Sequence, residues 1–347
     1  MSPFKELSTT TSKLLVNENL DNLESEDLNK FIADSFSLGN ELYITNFSST
    51  HPKLTDWMKN NRKILGDNPT VRYQSFFLSN DFEYVISGSL KNLEFITFQL
   101  YSLKNDENIP TNIVSTQDFK HIQDNNFELI VSPKLYLQKN ILQTSSNDYI
   151  LIIREFYKTD LLKDKFPSSI KIKEIHDIKY KKDFNSNISP KKITNFIQGI
   201  IVSTFNLYEQ LKGSSNAEIE NKYKLALFPT KGNYYEGEII ELNDDEIYEI
   251  TVYYLPQNLN FIWTFYNIFS RTPDYKKYDV YLNNYNTKYL SNTNYKFYLS
   301  KYKIYSLKNN LETGGYSRGI LSLRITEKNI PDNFDYSIRK IKINQVN

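Results

Sequence analysis

Few residues in this chain have the chemistry to act, and their spacing limits what they can do. Three histidines, His51, His121 and His176, stand singly along the sequence. With no His-x-His pair and no HExxH motif, spacing offers no zinc or iron site, and neither a metal nor a cofactor is expected. Cysteine is absent, which removes thiolate nucleophiles, disulfides, iron–sulfur clusters and cysteine-based zinc sites. The members of a serine triad meet only in space, so a triad stays open. No G-x-S-x-G elbow occurs, however, since "ISGSL" and "GYSRG" lack that order. "NDDEIYE" gathers Asp244, Asp245 and Glu246. Neighbouring carboxylates can serve acid–base work, but Asn-Asp-Asp reads first as ordinary turn chemistry.

That leaves "NNLETGGYSRGILSLR", residues 309–324, with Gly314, Gly315 and Gly319 between two strand-like runs. A phosphate-cradling glycine loop needs a helix after it, so that the first amides of the helix point at the anion. Here "GILSLRI" follows, with Leu321, Leu323 and Ile325 on one face and Ser322, Arg324 and Thr326 on the other. That alternation is a strand, which excludes a dinucleotide loop. Arg324 points away from the leucines. In a sandwich or barrel it lies either on the outer surface, the plainer reading, or in a polar cavity.

The elements that must hold these residues are legible from the period of the apolar positions. In "LESEDLNKFIADSFSLGNEL", Ser25 can cap a helix whose Leu28, Phe31, Ile32, Ser35 and Phe36 share a face. "HPKLTDWMKNNRKIL" predicts a second short helix through Leu54, Trp57 and Met58. From Val71 the period becomes two: "EYVISGSL" and "LEFITFQLYSL" read as strands joined by a short hairpin at "LKN". "FELIVSP" and "DYILIIREFY" follow, the second apolar on both faces in its first half and so central in a sheet. "SPKKITNFIQGIIVSTFNLYEQLKG" returns to helical spacing, with Pro190 at its start and Gly213 at its end. A second helix is expected to run from Ser215 to Pro229. Strands resume after Pro229, through "EGEIIEL", "EIYEITVYYLP", "NFIWTFYNIF", "KYDVYLNNY", "YKFYLSKYKIYSL" and "GILSLRI", and the tail after Pro331 is polar.

Composition bounds the partners. Lysine and arginine total 42 against 41 acidic residues, and "KIKEIHDIKYKK" is broken by acids. No field remains to gather nucleic acid or an anionic membrane, so neither partner is expected. No apolar run reaches a membrane span, and the first residues lack the apolar centre of a signal peptide, so a cytoplasmic location is expected. The 27 tyrosines and 22 phenylalanines follow from AT-rich coding together with half-buried strands. Glycan binding through them therefore ranks last.

The residues 309–334, "NNLETGGYSRGILSLRITEKNIPDNF", resemble the C-terminal signature of the domain of unknown function 1214 family. Asn309, Leu311, Thr313, Gly315, Gly319 and Arg324 fall on its matching positions. Asn310 stands where that family has tryptophan, Glu312 where it has aspartate, and Tyr316 where histidine is usual. "NFIWTFYNIF" is similar to the family's aromatic strand, at Trp263. "LNNYN" and "NTNYKFYL" resemble a Leu-Asn segment and a hairpin. The β-region within residues 83–157 is similar to the one that precedes the signature in short members, of the domain of unknown function 1254 type. The resemblance implies jelly-roll-like β-domains with helices between them, often in a homo-oligomer, and leaves activity open.

The expected architecture is α+β, mainly β with helical additions, built as two jelly-roll-like or sandwich domains. A helical region spans 1–65, a β-domain 66–187, a helical connector 188–228 and a second β-domain 229–347. Two functions stay open. In one, an enzyme or binding protein holds a small organic anion in the C-terminal domain, lined by Arg324, Trp263, Asn309, Thr313 and Gly315. Glu312 would then be a base and Tyr316 a proton donor. In the other, the chain is a non-catalytic, oligomerising structural or interaction protein whose glycines serve geometry. Convergence of Arg324, Glu312 and Trp263 on one pocket separates the two.

Overall fold

A computed structural model describes residues 9, 19–59, 62–104, 107–175, 190–213, 230, 232–326 and 330–346. Its first helix, α1 (Asn22–Asn40), begins earlier than the Ser25 cap predicts. Asp21 accepts a hydrogen bond from the Glu24 amide at 2.8 Å, and Glu24 accepts one from the Asp21 amide at 3.1 Å, a reciprocal capping box. One wide turn (Glu41–Thr45) continues the helix.

The expected helix over 51–65 does not form. Thr55–Asp56 is instead a short strand, β1, paired with β2 (Val71–Phe77). Trp57 turns inward and donates its indole N–H to Ser75 at 2.8 Å. Three apolar residues at helical spacing were too few to outweigh pairing with an adjacent sheet.

The strands form four sheets arranged as two sandwiches. In the first, β1, β2, β9 (Asp148–Phe156), β4 (Phe95–Lys104) and β5 (Glu107–Ser115) lie side by side in that order. Opposite them lie β10 (Lys171–Ile175), β3 (Glu83–Ser89), β7 (Asn126–Ser132) and β6 (Ile122–Gln123), with β8 (Ile141–Gln143) parallel on β7. Strand β9 is central, as its two-sided apolar run predicts. The hairpin expected at "LKN" is absent because β3 and β4 belong to opposite sheets, so that connection crosses the sandwich. Phe76, Ile96, Phe98, Leu151 and Ile153 of one sheet meet Tyr84, Ile86, Leu129 and Val131 of the other.

In the second sandwich, β11 (Tyr234–Glu241), β17 (Arg318–Ile325), β13 (Phe261–Tyr266) and β14 (Tyr281–Asn283) form one sheet. The facing sheet holds β16 (Asn310–Glu312), β15 (Tyr295–Ser300), β12 (Glu246–Tyr253) and β18 (Asp335–Lys342). Trp263, Leu321, Leu323 and Ile325 pack between them against Ile250, Phe297 and Leu299. The tail, read from the sequence only as polar, thus contains a strand, β18.

A third core joins the two sandwiches. Helix α3 (Pro190–Gly213), at the predicted position, lies beside α1. Ile193, Ile197, Ile200 and Phe205 of α3 and Phe31 and Leu38 of α1 pack with Phe77, Tyr101 and Ile152 of the first sandwich and Tyr266, Phe269 and Ile320 of the second. The outer faces of sheets β1–β2–β9–β4–β5 and β11–β17–β13–β14 are therefore buried rather than solvated. The second helix expected between 215 and 229 lies outside the described residues. Among those described, no helix is long and apolar enough to cross a membrane.

Candidate functional site

The loop after β16 is a built corner rather than a basin. Asn309 sits at φ 53°, accepts from the Lys288 amide at 2.7 Å and donates to the Lys288 and Lys296 carbonyls at 2.8 Å. Glu312 is buried, and its carboxylate accepts the backbone amides of Asp279 at 2.9 Å and Lys303 at 2.8 Å. Thr313 donates its hydroxyl to the Tyr316 carbonyl at 2.6 Å. Gly315, at φ +95°, donates its amide to the Lys301 carbonyl at 3.2 Å, in a backbone region that glycine enters freely. Glu312 therefore joins three loop segments, and its oxygens are already occupied by amides.

Tyr316, the expected proton donor, has its hydroxyl committed within the fold. Its hydroxyl donates to the Asp27 carboxylate of α1 at 2.6 Å, and burial, reinforced by that charge, pushes its phenol far above the ordinary value. Asp27 also holds Asn267, while Asp34 of the same helix pairs with Arg271 at 2.7 Å. Arg318 grips Glu24 at 2.7 Å. The stretch 316–318 thus docks α1 onto the second sandwich.

Trp263 faces the opposite way from Arg324. Alternation along β13 puts Phe261, Trp263 and Phe265 in the sandwich core, where the indole N–H donates to the Tyr295 hydroxyl at 2.7 Å. Gly319 explains itself by packing: a Cβ there would lie 2.2 Å from the Tyr266 carbonyl oxygen. Arg324, Glu312 and Trp263 do not converge. The expected pocket in the mouth of the C-terminal domain, lined by these residues with Asn309, Thr313 and Gly315, is not formed.

Arg324 lies elsewhere, and it is not on an open surface. Its strand β17 runs between β11 and β13, so Tyr235 and Ile262 flank it in register, and its side chain leaves the sandwich toward the first domain. The guanidinium lies over the rings of Tyr266 and Tyr235, at 5.5 and 5.7 Å. Nη2 donates to the Gly66 carbonyl at 2.6 Å, and Nη1 reaches the Tyr73 hydroxyl at 3.5 Å. Gly66 has φ +66°, a conformation that favours glycine, and a Cβ there would stand 2.7 Å from Nη2 and displace the guanidinium. The buried Nε has no hydrogen-bond partner among the described residues.

Across the seam, β9 presents Arg154. It is 4% exposed, donates to the Tyr101 hydroxyl at 2.8 Å and to Gln99 at 3.3 Å, and lies 6.0 Å over the Tyr73 ring. Tyr73 therefore stands between two cations. Burial pushes its phenol up, against the pull of Arg324 and Arg154. For Arg324 burial opposes the charge, but the oxygens of Tyr266, Tyr73, Tyr235 and Asp67 outweigh it, and the guanidinium is held cationic. Asp67 is committed to Thr272, accepting its amide at 2.9 Å and its hydroxyl at 2.5 Å.

Further buried hydroxyls on the two facing sheets lack a well-formed hydrogen bond: Thr264 and Tyr266 of β13 and Thr97 of β4. Thr97 lies in register with Arg154, and Thr264 with Ser322, two residues along from Arg324 on the same face. Natural interiors leave few such groups, and each asks for a cause. Sequence reading missed Arg154, Tyr73, Tyr235 and Tyr266. One signal was available: Arg154 is a charge within "DYILIIREFY", an otherwise apolar central strand.

The remaining chemical candidates behave as turns and surface. Asp244 and Asp245 pair with Lys301 and Lys342 at 2.7 and 2.8 Å, and Glu246 accepts the Asn243 amide at 3.0 Å. His51 and His121 are exposed, and His176 lies outside the described residues. No cluster of metal-ligating side chains occurs among the described residues.

No family profile matches the chain, and no curated protein is similar to it in sequence. The resemblance at residues 309–334 therefore rests on those residues alone. Among solved structures, the chain is similar to a putative uncharacterized protein from Burkholderia cenocepacia, with TM-score 0.85 and 15% identity over 98% of this chain and 95% of that one. A protein from Vibrio parahaemolyticus gives TM-score 0.50 and 10% identity over 90% and 97%. At such identities the likeness shows the fold alone: mainly β with a few helices, in an α+β arrangement.

Proposed function

We propose that the protein binds a small organic anion at the seam between its sandwiches, with Arg324 as the anchoring cation. One observation carries this reading. Arg324 is a charged side chain at the seam that forms no ion pair with a carboxylate among the described residues, and its Nε is left without a partner. A half-buried guanidinium with no directly bonded carboxylate is costly, and a carboxylate, sulfate or phosphate supplies a paired charge and an acceptor for the free Nε. The hydroxyls of Tyr73, Tyr266 and Thr264 supply further donors, and the Tyr235 and Tyr266 rings flank an apolar body. No acid–base pair of the kind first expected at Glu312 and Tyr316 accompanies it, so binding is the function proposed, without a reaction.

A second reading draws support from the Gly66 contact and the two rings over Arg324. There the arginine only clamps one sandwich to the other, and the chain is a non-catalytic interaction protein. Thermal melting against acetate, benzoate, malonate, sulfate and phosphate separates the two. The anion reading expects at least one probe to raise the native melting temperature and to leave Arg324→Met unmoved. Equal shifts in both proteins, or none in either, would remove it.

A further inference from the structure

The first sandwich brings its own row of polar groups to the seam. Tyr73 of β2, Arg154 of β9 and Thr97 of β4 stand side by side, in register across three neighbouring strands. Ile96, Phe98 and Ile153 beside them fill the core of that sandwich, so alternation turns this row outward. The second sandwich answers with Tyr235, Arg324 and Ile262, in register across β11, β17 and β13.

Tyr73 joins the two rows. Its hydroxyl lies 3.5 Å from Arg324 Nη1, and its ring centre lies 6.0 Å from the Arg154 guanidinium. Burial pushes that phenol up, and both guanidiniums pull against it. Two cations, one from each sandwich, therefore sit within reach of one side chain. Each has an orphaned polar group beside it. For Arg324 that group is its own Nε. For Arg154 it is the hydroxyl of Thr97, a residue only 5% exposed whose Oγ1 has no hydrogen-bond partner among the described residues. Arg154 itself donates to the Tyr101 hydroxyl at 2.8 Å and to Gln99 at 3.3 Å, bonds that fix where its fork lies.

The span between the cations is set by the ties between the sandwiches. Besides the third core, helix α2 (Asp160–Lys165) reaches across, where Asp160 accepts the Tyr281 hydroxyl at 2.8 Å. Lys63 donates to the Thr272 and Pro273 carbonyls at 3.0 and 2.7 Å. Walls held in this way present two charges at a fixed separation, which selects a ligand by length as well as by charge.

We propose that the anion of this seam is a small dicarboxylate. One carboxylate accepts from Arg324 Nε, and the other meets Arg154 and accepts the Thr97 hydroxyl. This deepens the anion reading and rests on it. Two guanidiniums that share a phenol repel each other, and the second negative charge of the ligand answers the second cation.

The test is calorimetric titration of the full chain at neutral pH with malonate, succinate and phthalate, each against its monoamide. The monoamide keeps the shape and loses one charge. At least one diacid is expected to bind about tenfold more tightly than its monoamide. In Arg154→Met that preference should vanish, with monoamide affinity kept within about twofold. Thr97→Val, a milder change that reads the same end of the ligand if Arg154→Met fails to fold, should weaken the diacid about fivefold and spare the monoamide. Equal binding of diacid and monoamide to the native protein, or a diacid preference that survives in both variants, would overturn the dicarboxylate and leave the anion reading standing. No binding of any probe to the native protein would remove the anion reading, and this inference with it.

Discussion

The corner at residues 309–319 and the seam around Arg324 are both rich in buried polar groups, yet they are finished differently. In the corner, Asn309, Glu312, Thr313 and Tyr316 find their partners within the fold. At the seam, Arg324 Nε and the Thr97 hydroxyl find none among the described residues, and the Thr264 and Tyr266 hydroxyls have at best one another. A satisfied network stabilises and specifies a shape, whereas orphaned donors and acceptors cost free energy that a ligand can recover. The difference separates architecture from a candidate site more sharply than residue type does.

Substitutions in the corner should therefore break the fold and leave the seam's chemistry alone. The largest effect is expected at Gly319→Ala, whose new Cβ would collide with the Tyr266 carbonyl at 2.2 Å. Backbone cannot yield as a flexible side chain does, and denaturant unfolding should show a loss of about 3–4 kcal/mol. Glu312→Ala comes next, because it strands the amides of Asp279 and Lys303 in a buried place. A loss of about 2–3 kcal/mol is expected by the same measurement, with the anion response of the native protein retained. A variant that kept full stability would show that Glu312 is not structural and would return it to the list of catalytic candidates. Tyr316→Phe removes one charged hydrogen bond to Asp27 and should cost about 1–2 kcal/mol, again without changing anion binding.

Much of the fold was legible because it is written in periodicity. Alternation through Leu321, Leu323 and Ile325 placed Arg324 on the opposite face, and the apolar run in β9 placed that strand at the centre of its sheet. Alternation names a face but not what covers it. The covering came from Gly66, Tyr73 and Arg154, more than 150 residues upstream in the chain, as the sequence separation of the Gly66 and Tyr73 contacts, 258 and 251, makes plain. Strand β18 escaped because its residues are half-buried on one face and exposed on the other, leaving "DYSIRKIK" too polar for an apolar pattern. Leu54, Trp57 and Met58 misled in the other direction, since a short cluster at helical spacing fits a strand and turn equally well. Of the two readings of the glycines of 314–319, the positive φ of Gly314 and Gly315 and the close approach at Gly319 fit the geometric one. Glu312 and Tyr316 were assigned chemistry from their types, and only their partners revealed their work.

The account turns on Arg324, and one melting experiment on Arg324→Met, with and without benzoate, weighs both halves of it. Methionine keeps the unbranched apolar stem, removes a charge that no carboxylate pairs directly and leaves the Gly66 carbonyl without its donor. For a ligand-anchoring arginine these terms offset one another, so stability should change by no more than about 1 kcal/mol while the benzoate response disappears. A loss of several kcal/mol, with the native protein indifferent to benzoate and to the other anions, would contradict the account and make Arg324 the bolt between two sandwiches.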